Sequence, residues 1–281
     1  MGVVNMYYIF NKSCIGYSHL KSKKPCQDYS ASYKDNERMI VTCCDGHGGA
    51  QYIRSKVGSK LASDAVINVF KSIDAQLLRN ESKGEVYEKI KLLVLCEYNT
   101  LVEKDIKKRP IRSREFKGLK DKAIDTLRYN PMSAYGTTLS GAMLYKDKYI
   151  VVSIGDSEAL GIHDGHLVKL FDNSDDPAGN ITYSMCQEDA YQYLRVVIID
   201  KRELDGVLLC TDGLSSPYQS YESFDKSFIR IYIKDLLRSK SVSKIDKQID
   251  KIASSLGVGD DVSLSFIIND KTPIKYFEKE N

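Results

Sequence analysis

Acidic residues stand where apolar, strand-like runs of this sequence end or begin. The runs 39–44, 149–155 and 207–211 each lead directly into an aspartate, and a fourth aspartate lies just before the run 262–268. These aspartates are Asp45, Asp156, Asp212 and Asp260. A sheet can gather its strand ends at one rim, but two like charges about 4 Å apart repel by roughly 4 kcal/mol at an effective dielectric of 20. If the four carboxylates converge, we expect metal cations between them.

A turn is the simpler interpretation of any single Asp-Gly pair after a strand, since this dipeptide is a common turn signal. Asp164-Gly165 and Asp205-Gly206 fit that role alone. Asp45 or Asp212 would be interpreted in the same way if either stood by itself. The repetition of acids at four run ends is what favours a metal site.

The composition fits a soluble globular protein without an obvious nucleic-acid partner. The 281 residues are 42% hydrophobic and 28% charged, with 41 basic and 38 acidic residues. A net charge of +3 is too balanced to favour nucleic acid on electrostatic grounds. No apolar run approaches the roughly 18 residues that cross a bilayer, and the first ten residues do not resemble a secretory signal. Seven cysteines without a C-x-x-C pair indicate free thiols in a reducing compartment. We therefore predict a cytoplasmic protein with no membrane and no nucleic-acid partner.

The order of predicted elements indicates the fold class. Apolar periodicity predicts strands, two helices, strands, two more helices and a final strand. The strands are predicted at 13–18, 28–33, 38–44, 136–145, 148–154, 159–163, 166–170, 194–199, 206–211 and 262–268, and the helices at 53–69, 86–106, 224–237 and 242–256. A basic segment, 109–129, is interpreted as a loop or a short extra helix, and 172–179 as a turn-rich loop. Since a parallel sheet would need one helix per strand, we predict an α+β fold: a four-layer α/β/β/α sandwich of two mostly antiparallel sheets flanked by helix pairs.

Six short motifs in a fixed order resemble one family of enzymes. They are Gln27-Asp28, Asp45-Gly46-His47-Gly48-Gly49, Gly136-Thr137-Thr138-Leu139, Gly155-Asp156-Ser157, Thr211-Asp212-Gly213 and Asp260-Asp261-Val262-Ser263. Together they resemble the metal-dependent serine/threonine protein phosphatases of type 2C (the PPM family). Ser18-His19 and the stretch 25–28 are similar to the compact bacterial branch of that family. The resemblance extends from Gly16 to Ile268.

The resemblance implies a reaction, its cofactors and its metal ligands. The reaction would be Mg²⁺- or Mn²⁺-dependent hydrolysis of phosphoserine and phosphothreonine in proteins, by metal-activated water and without a phosphoenzyme. Two or three ions would take part. Asp45 would bridge two ions and the Gly46 carbonyl would complete one site. Asp212 and Asp260 would hold the other. Asp28 would bind metal-bound water, and Asp156 would bind a third ion with Asp212.

Further site residues follow from the same resemblance. Beside Asp45 as a catalytic residue, His47 matches the family's general acid, which protonates the leaving alkoxide. Substrate phosphate would be bound by Lys23, where relatives often carry Arg, or by His19; a solvated lysine cluster is the alternative. Glu158 departs from the family, because many relatives carry Arg after Gly-Asp-Ser. The segment 172–193 replaces the variable flap of the family, so substrate choice can also depend on 109–129.

We expect a single phosphatase catalytic domain over residues 1–281, without a separate regulatory domain, that acts as a monomer. Its partners would be phosphoprotein substrates and a cognate Ser/Thr kinase. Two other classes stay open: a non-catalytic phosphatase-like binding module, and an acid-cluster nuclease or phosphodiesterase. A cysteine phosphatase is excluded, because no cysteine has Arg six residues further on. His163 and His166 bracket a hairpin and are interpreted as structural rather than as a zinc pair.

Overall fold

The computed structural model describes residues 6–75, 77, 82–171 and 182–277. Within these residues the strands are β1 Tyr7–Cys14, β2 Tyr29–Lys34, β3 Arg38–Cys44, β4 Leu139–Tyr145, β5 Lys148–Ile154, β6 Glu158–His163, β7 His166–Lys169, β8 Arg195–Asp200, β9 Gly206–Cys210 and β10 Val262–Asn269. The α-helices are α1 Tyr17–Ser22, α2 Ser55–Ser72, α3 Lys83–Lys108, α4 Asp121–Tyr129, α5 Ala190–Tyr193, α6 Asp212–Ser215, α7 Tyr221–Phe224, α8 Arg230–Ser239 and α9 Ser243–Lys251. Short 3₁₀ helices cover Ser113–Phe116, Pro131–Tyr135 and Ile274–Phe277, and π-helical turns cover Asp225–Ile229 and Ile252–Leu256.

The strands form two five-stranded sheets, ordered β1-β10-β9-β6-β7 and β2-β3-β4-β5-β8. Every strand pairing between described residues is antiparallel. The predicted α+β class and the two antiparallel sheets are therefore confirmed.

Three apolar clusters separate four layers. The first lies between α2, α3 and one face of the β2–β8 sheet, and it includes Val66, Tyr98 and Ile150. The second, between the two sheets, includes Val151 and Leu209. The third, under α8, α9 and the π-helical turns, fills the outer face of the other sheet. Alternate residues of one strand point to opposite faces, so Ile150 and Val151 belong to different clusters. The predicted α/β/β/α layering is confirmed.

The long helix α3 has clear sequence signals at both ends. Ser82 accepts a hydrogen bond from the backbone N of Glu85, and the Glu85 carboxylate accepts one from the backbone N of Ser82 at 2.9 Å. This capping box satisfies amides that the first turn leaves free. The helix ends at Lys108, two residues before Pro110, because proline cannot donate to the helical ladder.

Some predicted elements differ from the observed ones. The strand predicted at 13–18 is β1, Tyr7–Cys14, and Tyr17–Ser22 is helical. Every residue of β1 is only half-buried, so its sequence lacks the alternation that marks a strand. The basic segment 109–129 contains the Ser113–Phe116 turn and α4, as predicted. The predicted loop 172–179 lies outside the described residues.

Antiparallel pairing brings the motif-bearing strand ends to one rim. Tyr29 at the start of β2 pairs with Cys44 at the end of β3, and Leu139 at the start of β4 pairs with Ile154 at the end of β5. In the other sheet, Leu264 near the start of β10 pairs with Cys210 at the end of β9. The residues just beyond these ends therefore face one another across the sandwich. None of the helices among the described residues has the length and apolar character that crossing a membrane requires.

Candidate active site

Two threonines hold Asp45 at the end of β3. The Asp45 backbone N donates to Thr138 Oγ1 at 2.9 Å, and the Asp45 carbonyl accepts from Thr138 N and from Thr137 Oγ1, each at 2.8 Å. Thr138 Oγ1 also lies 2.7 Å from Ser157 Oγ. The Gly-Thr-Thr motif therefore fixes the backbone from which the Asp45 carboxylate projects.

Five carboxylates predicted as metal ligands come within electrostatic reach of one another; we call them the acid cluster: Asp28, Asp45, Asp156, Asp212 and Asp260. Burial raises the pKa of Asp45 well above its ordinary value, and the charges of the other four raise it further. The pKa of Asp212 is also raised, first by burial and then by Asp156 and Asp260.

No lysine or arginine among the described residues forms an ion pair with Asp28, Asp45, Asp156 or Asp212. Clustered carboxylates without a cationic partner are costly at neutral pH unless cations bind or protons are taken up. The donors are hard oxygen atoms, which suit Mg²⁺ or Mn²⁺ better than soft metals. The residues present therefore fit divalent cations.

Asp28 sits deepest in the cluster. It is 6% exposed, and Thr211 Oγ1 donates to its Oδ2 at 2.8 Å. The Ser263 backbone N in turn donates to Thr211 Oγ1 at 2.9 Å. Burial and the charge of Asp261 raise the pKa of Asp28 well above its ordinary value. The residue thus links the start of β2 to the end of β9 and the start of β10.

Asp261, which sequence reasoning did not select, organises the neighbouring loop. Its carboxylate accepts hydrogen bonds from the backbone N of Gly16 at 2.8 Å and of Gln27 at 2.6 Å, and lies 2.9 Å from His19 Nδ1. The side chain is 2% exposed, whereas that of Asp260 is 54% exposed. His19, Asp260 and Asp261 offer ligand atoms within 4.8 Å of one another. In the sequence, the adjacent acids Asp260 and Asp261 are the only sign of a residue that organises this loop. The sequence does not show which of the two carboxylates turns inward.

Glycine is required after Asp45 by close backbone contact. A Cβ atom at Gly46 would lie 2.5 Å from the Gln27 carbonyl oxygen. That oxygen accepts from Ser59 Oγ at 2.6 Å, and the Gln27 side chain donates to Ser55 Oγ. Gly46 also pairs with Thr137 in an isolated bridge. The chain directly after Asp45 is thus held in close backbone contact with Gln27 and Thr137.

His47 lies half-buried beside the rim. Its backbone N donates to the Gly136 carbonyl at 3.1 Å, and its ring centroid is 4.9 Å from that of Tyr52. Its Nε2 is buried and has no hydrogen-bond partner among the described residues. Burial lowers the pKa of His47, while the charge of Asp156 opposes that shift. An unpartnered buried nitrogen at a carboxylate-lined rim suits a group that meets a ligand.

The remaining predicted residues occupy different environments. Thr182 Oγ1 donates to Asp156 Oδ2 at 2.6 Å. His19 contacts Asp261 and lies 3.8 Å from Asp260. Lys23 ends α1 in the left-handed region, with φ 56°, and its ammonium forms no ion pair with any described residue. The structure thus brings His19 to the acid cluster, and it does not bring Lys23 into contact with that cluster.

The two hairpin histidines, predicted as structural, have hydrogen-bond partners within the fold. His163 and His166 pair across the β6–β7 hairpin, whose turn has φ 48° at Asp164 and 79° at Gly165. His163 Nδ1 lies 2.9 Å from the Glu203 carbonyl oxygen, so its imidazole bonds to backbone. A zinc pair is not needed to explain these residues.

Comparison with known families decides the identity of the fold. The family model described as protein phosphatase 2C matches residues 15–251. The chain belongs to the protein phosphatase 2C family. By that membership it is a metal-dependent protein serine/threonine phosphatase. No curated protein sequence matches this phosphatase.

Solved bacterial phosphatases share the fold at low identity. The serine/threonine phosphatase PstP/Ppp of Mycobacterium tuberculosis is 18% identical, with a TM-score of 0.57 over 94% of this chain and 98% of that one. Stp1 of Staphylococcus aureus is 15% identical, with a TM-score of 0.57 over 95% of this chain and 96% of that one. The PstP catalytic domain in complex with two manganese ions is 18% identical, with a TM-score of 0.54 over 93% and 97% of the two chains.

Proposed function

We propose that this protein hydrolyses phosphoserine and phosphothreonine in proteins through Mg²⁺ or Mn²⁺ bound at the acid cluster. The observation that carries the proposal is the set of converging carboxylates with raised pKa values and no lysine or arginine partner among the described residues. Bound divalent ions would supply positive charge that stabilises these carboxylates and lowers the pKa of the attacking water.

The residues have distinct roles in this proposal. Asp45, whose carboxylate feels the charges of the other four, would be the ligand shared by two ions, and the Gly46 carbonyl would complete one of these sites. Asp212 and Asp260 would hold the second ion, and Asp28 would orient a water ligand. Asp156, which is exposed, would hold a third ion with Asp212. The short side chain of Asp suits a strand end, since it keeps the carboxylate close to the backbone.

His47 donates a proton to the leaving serine or threonine oxygen. A serine alkoxide is a poor leaving group, so protonation in the transition state lowers the barrier. The lowered pKa of His47 works against this role in the ion-free chain, because the donor must carry its proton. A phosphate dianion beside the ring would raise that pKa again. His19, which contacts Asp261, and Lys23 are the proposed phosphate ligands.

We infer that the four layers act as one catalytic domain, as a cytoplasmic monomer whose substrates include those of a cognate Ser/Thr kinase. The alternative of a non-catalytic binding module predicts lost ligands, yet every expected aspartate is present. An acid-cluster nuclease would bind its substrate through a broad basic face, which the balanced net charge of +3 does not favour.

Release of phosphate from p-nitrophenyl phosphate and from a phosphothreonine peptide, with and without Mn²⁺, tests the proposal. We expect Mn²⁺-dependent hydrolysis of both, and loss of both in Asp45→Asn, which keeps its fold because the change removes a repelled charge. Asp164→Asn is the matched control, because it makes the same change in an Asp-Gly pair that forms the turn of the β6–β7 hairpin and does not belong to the acid cluster. Absence of Mn²⁺-dependent hydrolysis in the unaltered protein would overturn the proposal, and an active Asp45→Asn would overturn the bridging role.

A further inference from the structure

A basic pocket of about 490 Å³ lies where the end of α3 meets the start of α2. This volume is within the range of about 300–1,000 Å³ typical of ligand sites. Five cationic side chains and one acidic side chain line it: Arg54, Lys108, Arg109, Arg112, Arg114 and Glu115. We call it the arginine pocket.

The inner wall of the arginine pocket is fixed by Arg54. Its guanidinium donates to the Glu115 carboxylate at 2.9 and 3.1 Å and to Tyr135 Oη at 2.6 Å. Its side chain is 10% exposed. Asp105 lies 3.7 Å from Arg54 and pairs with Arg109. Two acids thus balance the two arginines of the inner wall.

The three cations of the outer wall face a single acid in the pocket lining, Glu115, which already binds Arg54 and whose charge also reaches Arg114. Lys108, Arg112 and Arg114 are exposed, and their side chains form no ion pair with any described residue. Three cationic groups around one pocket raise the local potential for anions. Guanidinium groups bind phosphate and carboxylate through two parallel hydrogen bonds, which a single ammonium cannot do.

The arginine pocket is coupled to the candidate active site through short chain segments. Arg54 lies two residues beyond Tyr52, whose ring is tilted against that of His47 at a centroid distance of 4.9 Å. The Arg54 backbone N donates to the Ala134 carbonyl at 2.8 Å, and Gly136, two residues further along, accepts from the His47 backbone N. The arginine pocket and His47 therefore border the same two stretches of chain, residues 47–54 and 134–136.

We propose that the arginine pocket binds a second phosphorylated side chain of the substrate protein, outside the bond that is cleaved. This assignment rests on the proposed phosphatase function and gives it a substrate class: segments that carry more than one phosphate. The pocket gathers five cations around one concave space of about 490 Å³, which fits a phosphate on a peptide side chain, whereas a nucleic-acid backbone calls for an extended basic surface.

Charge reversal at the outer wall tests the proposal through a specificity ratio. The substrates are a phosphothreonine peptide and the same peptide with a non-hydrolysable phosphonate analogue of a second phosphoserine. We expect kcat/KM to be about tenfold higher for the doubly modified peptide, mainly through KM, as two partly exposed ion pairs would give. Arg112→Glu/Arg114→Glu should bring this ratio close to one. Lys247→Glu/Lys251→Glu, with the same change of net charge on the exposed face of α9, should keep it.

Direct binding separates failure of this inference from failure of the proposed function. Fluorescence anisotropy with Asp45→Asn as the host measures the affinity for both peptides without turnover. Tighter binding of the doubly modified peptide that Arg112→Glu/Arg114→Glu or Lys108→Gln removes would support the pocket even if no hydrolysis occurs. Equal affinity for the two peptides, or a single-stranded RNA that outcompetes both, would overturn it.

Discussion

His47 combines two properties that a sequence motif cannot show: a half-buried side chain, and a buried Nε2 that has no hydrogen-bond partner among the described residues. If this nitrogen protonates the leaving group, the contribution of His47 to the rate of hydrolysis is larger for a poorer leaving group. His47→Gln should lower kcat for a phosphoserine peptide by about 100-fold, within the range for general acids. Hydrolysis of p-nitrophenyl phosphate should fall much less, because nitrophenolate leaves without protonation.

Steady-state kinetics of His47→Gln with the two substrates checks this role. Tyr52→Phe serves as the control, since it keeps the ring beside His47 and removes only a hydroxyl. Equal losses on both substrates would mean that His47 acts on the fold of the rim and not as a proton donor.

The aspartates show what residue types alone reveal. Asp45 and Asp212 could be found because an Asp-Gly pair after an apolar run is visible in the sequence. Asp261 could not, because the sequence does not show which member of the Asp260-Asp261 pair, just before β10, turns inward. The carboxylate that turns in bonds to Gly16 and Gln27, residues about 240 positions away, and such pairing depends on tertiary structure.

At the level of secondary structure, one backbone carbonyl lies where the Pro131–Tyr135 helix, α3 and α2 meet. The Tyr135 carbonyl, at the end of the Pro131–Tyr135 turn, accepts from Tyr98 Oη of α3 at 2.6 Å. A Cβ atom at Gly58 of α2 would lie 2.1 Å from the same oxygen. The next residue, Gly136, accepts from the His47 backbone N. Close packing of α2 and α3 is therefore a condition for the geometry of the rim.

Two Gly→Ala changes in these helices should have opposite effects on stability. Gly58→Ala forces backbone apart and should lower the free energy of unfolding by about 1–3 kcal/mol. Gly84→Ala, in the exposed first turn of α3 with nothing within 4 Å of the added Cβ, should raise it by about 0.4–1 kcal/mol through the unfolded state. Urea unfolding of both variants measures the difference. A stabilised Gly58→Ala would mean that α2 can move away from the turn without cost.

Most elements could be predicted because their residues alternate or repeat at helical spacing. β3 and β5 were predicted to the residue, since their apolar residues are continuous. The π-helical turns Asp225–Ile229 and Ile252–Leu256 were predicted as ordinary helix. A π turn keeps the same apolar face, and only its backbone hydrogen bonds differ.

For the whole molecule, the acid cluster makes stability depend on pH and on ions together. Burial and mutual repulsion raise the pKa values of Asp28, Asp45 and Asp212. Between the ordinary carboxyl pKa of about 4 and these raised values, the folded chain binds more protons than the unfolded chain. Its stability is therefore greatest at low pH within this window and is lost as pH rises through the raised pKa values. His47, with its lowered pKa, contributes with the opposite sign but is one group against three.

We expect the melting temperature in EDTA to rise as pH falls from about 8 to about 5, against the usual loss of stability in acid. Saturating Mn²⁺ should raise the melting temperature most at the alkaline end, where protons compete least for the carboxylates. Asp45→Asn should show a flatter profile in EDTA and a smaller Mn²⁺ effect, because one repelled charge and one ligand are gone. Thermal denaturation across this pH range, with and without Mn²⁺, measures all three curves. A metal-free protein that is most stable at alkaline pH would contradict the clustering of these carboxylates, since their uptake of protons on folding should give the slope the opposite sign.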